Sequence, residues 1–137
     1  LEVGAGTDDA REAEMALIGG GLERIGQARG GGLLIEPRHD LAATPCDPGL
    51  TRTLAACVRQ EIGDTPHHLV SGAGHDAMIM AALTPVCMLF IRSPGGVSHN
   101  PAETVRDGDV ETAFRVMCAF VERLASQHGE IQEETSA

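Results

Sequence analysis

From Val86 to Ile91 every residue is apolar, so a strand built from Val86-Cys87-Met88-Leu89-Phe90-Ile91 is hydrophobic on both alternating faces. Such a strand needs cover on both sides, which predicts a central strand of a parallel sheet between helical layers. The run is far too short to cross a bilayer, which takes about 20 apolar residues as a helix. Its neighbours suit that architecture. Upstream, Asp47 can cap a helix with Pro48 at its first position, and Leu50, Leu54, Cys57, Val58 and Ile62 form its apolar face before Gly63 ends it. His67 to Val70 reads as a short strand, Ser71-Gly72-Ala73-Gly74 as a tight turn, and His75 to Leu83 as a helix stopped by Thr84-Pro85. After Asp109, Val110, Phe114, Met117, Val121 and Leu124 recur at helical spacing with Cys118 beside them, and residues from Gln127 to Ala137 form a polar tail expected to fray.

The first forty residues read as strand, helix, strand. Ala10, Ala13, Leu17, Ile18, Leu22 and Ile25 share one helical face between about Ala10 and Ala28, although Gly19, Gly20 and Gly21 each cost ~1 kcal/mol relative to alanine. Leu33 to Glu36 is a strand candidate closed by Pro37, with Leu1 to Val3 as its possible partner. Leu41 to Pro48, with two prolines and no periodicity, predicts a linker. Alternating helices and strands imply parallel strands with helical crossovers, an α/β layer fold.

Charge narrows the function classes. The 10 arginines, with no lysine, stand against 20 acidic residues, giving a formal charge of −10 that repels a phosphate backbone. Nucleic acid is therefore not an expected partner, and a lysine-dependent nucleotide loop is excluded. No basic segment followed by an apolar stretch opens the sequence, so neither a signal peptide nor a membrane partner is expected. Cys46, Cys57, Cys87 and Cys118 are widely spaced without a Cys-x-x-Cys pair, and two of them fall on apolar faces, which predicts reduced, partly buried thiols and a cytoplasmic setting. The chain opens on Leu1, in what reads as mid-strand, and is expected to be a fragment or a processed product.

Ligands of an open parallel sheet bind beyond the carboxyl ends of its strands. Two loops occupy that position, Ser71 to Asp76 and Ser93 to Glu103, and each carries one histidine. In the first, glycines allow backbone amides to approach a carboxylate, and the following helix adds its positive end. By spacing alone, a tight turn with His75 capping the helix is the plainer account. In the second, His99 is an imidazole of the type that commonly ligates metals, with Glu103 near enough to accept from its other ring nitrogen. A lone histidine is more often a surface residue, and no compact pair of Cys or His predicts a structural zinc site. His67-His68 reads as exposed, Met78, Met80 and Met88 as core filling, Arg38-His39-Asp40 as polar rim, and Cys46 has no neighbouring base to mark it as a nucleophile.

Taken in order, Ser71-Gly72-Ala73-Gly74-His75-Asp76-Ala77-Met78, Met88-Leu89-Phe90-Ile91-Arg92-Ser93 and Gly95-Gly96-Val97-Ser98-His99-Asn100-Pro101-Ala102-Glu103 resemble the C-terminal region of the hydantoinase/carbamoylase branch of the M20 metallopeptidase family. Thr44-Pro45-Cys46-Asp47-Pro48 and the closing helix are similar too. The likeness covers roughly Ile35 to Ala125, and its specific part is Ser71 to Glu103. It implies a parallel-sheet catalytic domain with helices on both faces over residues 41–127, preceded over 1–40 by the second half of a small α+β lid and dimerisation domain, and followed by the tail at 128–137.

The resemblance further implies hydrolysis of a linear ureido or amide C–N bond, in N-carbamoyl amino acids or allantoate, by metal-activated water. Two divalent metals per complete site are implied, zinc or else manganese or cobalt. His99 would be a metal ligand, and His75, with Gly74, would contact the substrate or its tetrahedral intermediate. Asp76, Asn100 and Glu103 would support those side chains, and the complete form would be a homodimer. The family's other ligands, its general-base glutamate and its carboxylate-binding arginine lie ahead of the stretch matched here. The chain alone is thus expected to be inactive, either a C-terminal part of such an amidohydrolase or a non-catalytic remnant serving folding or dimerisation.

Overall fold

The computed structural model describes residues 5–36, 40–98 and 100–135, with side chains as far as Gln127. Among the described residues four α-helices form: α1 (Asp8–Ala28), α2 (Pro48–Ile62), α3 (Asp76–Met80) and α4 (Asp107–Thr135). The chain divides into two compact units, one of residues 1–45 and 68–83, the other of residues 46–67 and 84–137. Among the described residues no helix is long and apolar enough to cross a membrane.

The second unit is built on α2 and α4. Asp47 Oδ1 accepts from the Leu50 amide at 2.8 Å and Pro48 follows it, the cap and first residue that the sequence predicts. Such a cap contributes about 1 kcal/mol. At the other end Gly63 takes the left-handed conformation, φ 70°, and its amide returns to the Arg59 carbonyl at 2.9 Å. A side chain there would be strained, which is why glycine ends the helix. Leu54 and Cys57 of α2 meet Val116 and Phe120 of α4 in a core that also takes in Leu50, Val58, Cys87, Leu89, Ala119 and Leu124. Burying Leu54, Val116 and Phe120 stabilises by about 1.5–3 kcal/mol each. Arg115 to Glu61 at 3.2 Å and Arg123 to Gln60 at 2.7 Å add exposed links between the helices, each worth little in water.

Of the row expected on α4, Leu124 packs against the core and the other members do not. Val116, Phe120 and Leu124 face α2, whereas Val110, Phe114, Met117 and Val121 are exposed, Phe114 at 70%. Helix α4 carries two apolar stripes, and the i, i+4 row of Val116, Phe120 and Leu124 has the shape that nests on Leu54 and Cys57. Cys118, predicted on the apolar face, follows the outer stripe and is exposed. The polar end also departs from expectation: instead of fraying, the backbone stays helical to Thr135, as glutamate and glutamine, good helix formers, permit.

No β-ladder forms among the described residues, so the predicted sheet is not seen. Leu33 to Glu36, His67 to Val70 and Val86 to Ile91 take no regular structure, and Leu1 to Val3 lies outside the described residues. An apolar run becomes a strand only where a neighbour takes up its alternate N–H and C=O groups. Val86 accepts one such bond, from the Asp47 amide at 2.7 Å. Cys87 and Leu89 rest on the α2–α4 core, while Phe90 and Ile91 remain exposed at 46% and 41%. The run thus has helical cover at Cys87 and Leu89, not the cover on both faces that its composition calls for.

In the first unit α1 begins two residues earlier than the periodicity suggests, because Thr7 caps it through Oγ1 to the Ala10 amide at 3.3 Å and Asp8 and Asp9 favour its positive end. Asp8 Oδ1 also accepts from the Ala43 amide at 2.8 Å, and Arg11 donates to Asp40 at 2.5 Å, the polar rim residue. The face predicted as core is open: Leu17, Leu22 and Ile25 are all exposed. Helix α3 is shorter than the predicted His75 to Leu83. Its continuation tightens into turns, Ala82 to Ile79 at 3.3 Å and Leu83 to Met80 at 2.9 Å, ahead of Pro85.

Candidate active site

The loop from Ser71 to Asp76 folds around the Ser71 hydroxyl. Ser71 Oγ accepts from the Ala73 amide at 3.2 Å, lies 3.3 Å from the Ala73 carbonyl, and stands 2.7 Å from His75 Nε2. Gly72, at the turn's outer side, faces open space, since a Cβ there would meet nothing within 4 Å. His75 occupies the N-cap of α3 with an extended backbone, φ −134° and ψ 158°, yet its side chain makes no capping bond. His75 is thus the helix-capping residue of the plainer account by its backbone position, while its ring lies against Ser71 and makes no capping bond. Its own carbonyl accepts from Met78 at 2.9 Å and holds the first turn. Asp76 is exposed in that turn. With five residues, α3 has less dipole to offer a ligand than the predicted helix.

The second loop starts with a 3-10 turn, Pro94–Gly96, in which the Gly96 amide returns to the Ser93 carbonyl at 3.0 Å. Gly95 and Gly96 both hold positive φ, 72° and 66°, a conformation that a side chain would strain. Asn100 Oδ1 accepts from the Ala102 amide at 2.9 Å and its carbonyl from Glu103 at 2.8 Å. Asn100 thus shapes the turn that carries Glu103, and both residues are exposed. His99, and with it the expected partnership with Glu103, lies outside the described residues. Arg92 closes the loop's base on Asp109 of α4.

Among the described residues no group of three or more His, Cys, Asp or Glu could hold a metal ion. Such residues do not make a metal centre by themselves, and the only predicted ligand is His99. Cys46, Cys57, Cys87 and Cys118 are all free. Partial burial, then the nearby Cys46 and Asp47, push the Cys87 thiol above its ordinary pKa, which makes it a weak nucleophile. His67 and His68 are exposed as predicted.

The structure brings Ser71 and His75 together, and it sets Gly74 between them with ordinary van der Waals room, 3.7 Å from Met78 Sδ to an added Cβ. Ser71 is the residue to which sequence reading gave no role. Its signal was its place four residues before a histidine across a glycine-rich turn, the spacing at which a hydroxyl and a ring can meet.

The sequence pattern of peptidase family M20/M25/M40 matches residues 6–123. The chain is 36% identical over 132 residues to allantoate deiminase 2 of Glycine max, a match covering 91% of this chain and 27% of that protein. It is 37% identical over 97 residues to allantoate amidohydrolase of Escherichia coli (strain K12), covering 70% of this chain and 23% of the relative. It is 39% identical over 89 residues to N-carbamoyl-L-amino-acid amidohydrolase of Pseudomonas sp. (strain NS671), covering 63% and 21%. The chain therefore spans about a quarter of the length of these curated relatives. No solved structure matches it.

Proposed function

The chain belongs to peptidase family M20/M25/M40, in the branch of the allantoate and N-carbamoyl-amino-acid amidohydrolases, and from that premise we propose that it is the C-terminal part of an amidohydrolase acting on a linear ureido or amide C–N bond. The observation that carries this reading is that the family match, over residues 6–123, spans both histidine loops. Allantoate or an N-carbamoyl amino acid is the proposed substrate class, since both are acted on by relatives as named.

In the proposed reaction water adds to the ureido or amide carbonyl, and the C–N bond then breaks as the leaving nitrogen gains a proton. A divalent metal pair, zinc or else manganese or cobalt, supplies activation of that water when bound. This chain's part is His99 as one ligand, supported by Asn100 and Glu103, and His75 with Gly74 and Asp76 at the substrate. A ring nitrogen near the carbonyl would stabilise the charge that builds on its oxygen. The remaining ligands would come from the length of the relatives that this chain does not span.

The same proposal accounts for the exposed apolar rows. Val86 to Ile91 would pair as a central strand with strands of that remaining length, which would also cover the outer stripe of α4. Residues 1–40 are proposed as the second half of a lid and dimerisation domain, giving a homodimer in the complete form. A cytoplasmic setting is proposed as well, supported by the four free cysteines.

Two protein forms test this. The 137-residue chain alone should retain no stoichiometric zinc, manganese or cobalt after dialysis and should not hydrolyse allantoate or N-carbamoyl amino acids, because a lone ligand does not hold such a metal. A hybrid in which it replaces the matching stretch of the Escherichia coli relative should retain the metal and hydrolyse these substrates. A hybrid that folds and dimerises without turnover would instead favour the alternative, a non-catalytic folding or dimerisation module.

A further inference from the structure

We propose that Ser71 is the positioning residue for His75: its hydroxyl donates into Nε2 and fixes the neutral imidazole with its proton on Nδ1. The inference rests on the reading of His75 as a substrate-contacting side chain and adds what sets the ring's orientation and proton placement.

A serine hydroxyl has one hydrogen and two lone pairs. Here one lone pair accepts the Ala73 amide at 3.2 Å. The hydrogen can go to the Ala73 carbonyl, 3.3 Å away, or to His75 Nε2, 2.7 Å away. The shorter contact wins on distance, and 2.7 Å suits a hydroxyl donor, whereas a ring N–H donating to oxygen centres near 2.9–3.0 Å. With Nε2 accepting, a neutral ring must carry its hydrogen on Nδ1. The imidazole's donor is thereby set at Nδ1, the kind of group that a developing oxyanion takes as a partner.

A helix cap does not set the ring, since His75 makes no side-chain capping bond to α3. The turn through Gly72 and Gly74 is what returns residue 71 to residue 75. Both residues are half-buried, so water competes less for the contact than it would on an open surface.

The test is the tautomer itself, read by long-range proton–nitrogen correlation on the histidine-labelled 137-residue chain with its rings neutral. His75 should show the Nδ1–H pattern. Ser71→Ala should move it to the Nε2–H form that unconstrained imidazoles favour, and Ser71→Thr, which keeps the hydroxyl, should restore Nδ1–H. A wild-type His75 in the Nε2–H form would overturn the proposal, as would a folded Ser71→Ala chain with an unchanged pattern. If Ser71→Ala fails to fold, the wild-type and Ser71→Thr spectra decide. No turnover enters this readout, so an inactive hybrid would sink the amidohydrolase reading without touching Ser71, and an Nε2–H ring would do the reverse.

Discussion

His75→Ala in the hybrid enzyme is expected to keep its full metal content and to lose roughly 10²- to 10³-fold in kcat, the usual effect of removing one donor to the developing oxyanion. The reason is the role proposed for each loop. The His75 ring stands against Ser71 and its carbonyl holds the first turn of α3, whereas the proposed metal ligand belongs to the other loop, whose turn is shaped by Asn100. Steady-state kinetics beside elemental analysis check this. A change confined to KM would mean that His75 binds the substrate and its transition state equally, and loss of metal would make it a ligand.

The second large effect concerns the fold. Phe120→Ala removes a side chain only 7% exposed from the seam between α2 and α4, and the lost transfer energy plus the cavity should cost about 3–5 kcal/mol. Phe114→Ala, on the outer stripe at 70% exposure, should change the isolated chain by no more than about 0.5 kcal/mol. Denaturant unfolding of both variants measures the contrast, with the midpoint shifting and the slope constant for Phe120→Ala. Equal effects would show that the two stripes of α4 are buried alike.

That contrast also marks what the amino-acid order could and could not convey. Helix α2 was readable to its ends because its signals are local: Asp47, Pro48 and Gly63 each act within a turn of their own position. Helix α4 was readable as a helix, but which of its two apolar stripes packs depends on the shape of Leu54 and Cys57, a long-range fact that periodicity does not hold. Val86 to Ile91 carries the composition of a doubly covered strand, yet strand pairing is decided by a neighbour, and the described residues supply it one hydrogen bond from Asp47.

At the site, the motif order pointed to His75 and His99 through family likeness, and residue type alone left both with bland alternatives. His75 takes the N-cap place that its bland alternative gave it, while its ring lies against Ser71 and makes no capping bond. Ser71 itself escaped notice because serine in a glycine-rich turn is ordinarily there for the turn, as its bond with Ala73 also shows.

The central claim is that this chain contributes a metal ligand to an amidohydrolase centre, and metal content with turnover in a His99→Ala hybrid tests it most directly. Loss of even a partner outside the ligand shell typically costs about 10- to 100-fold in metal affinity or activity, so loss of a ligand should exceed that. The expected result is a folded protein whose bound metal falls together with its hydrolysis of allantoate or N-carbamoyl amino acids. A His99→Ala hybrid with full metal and normal rate would contradict the account.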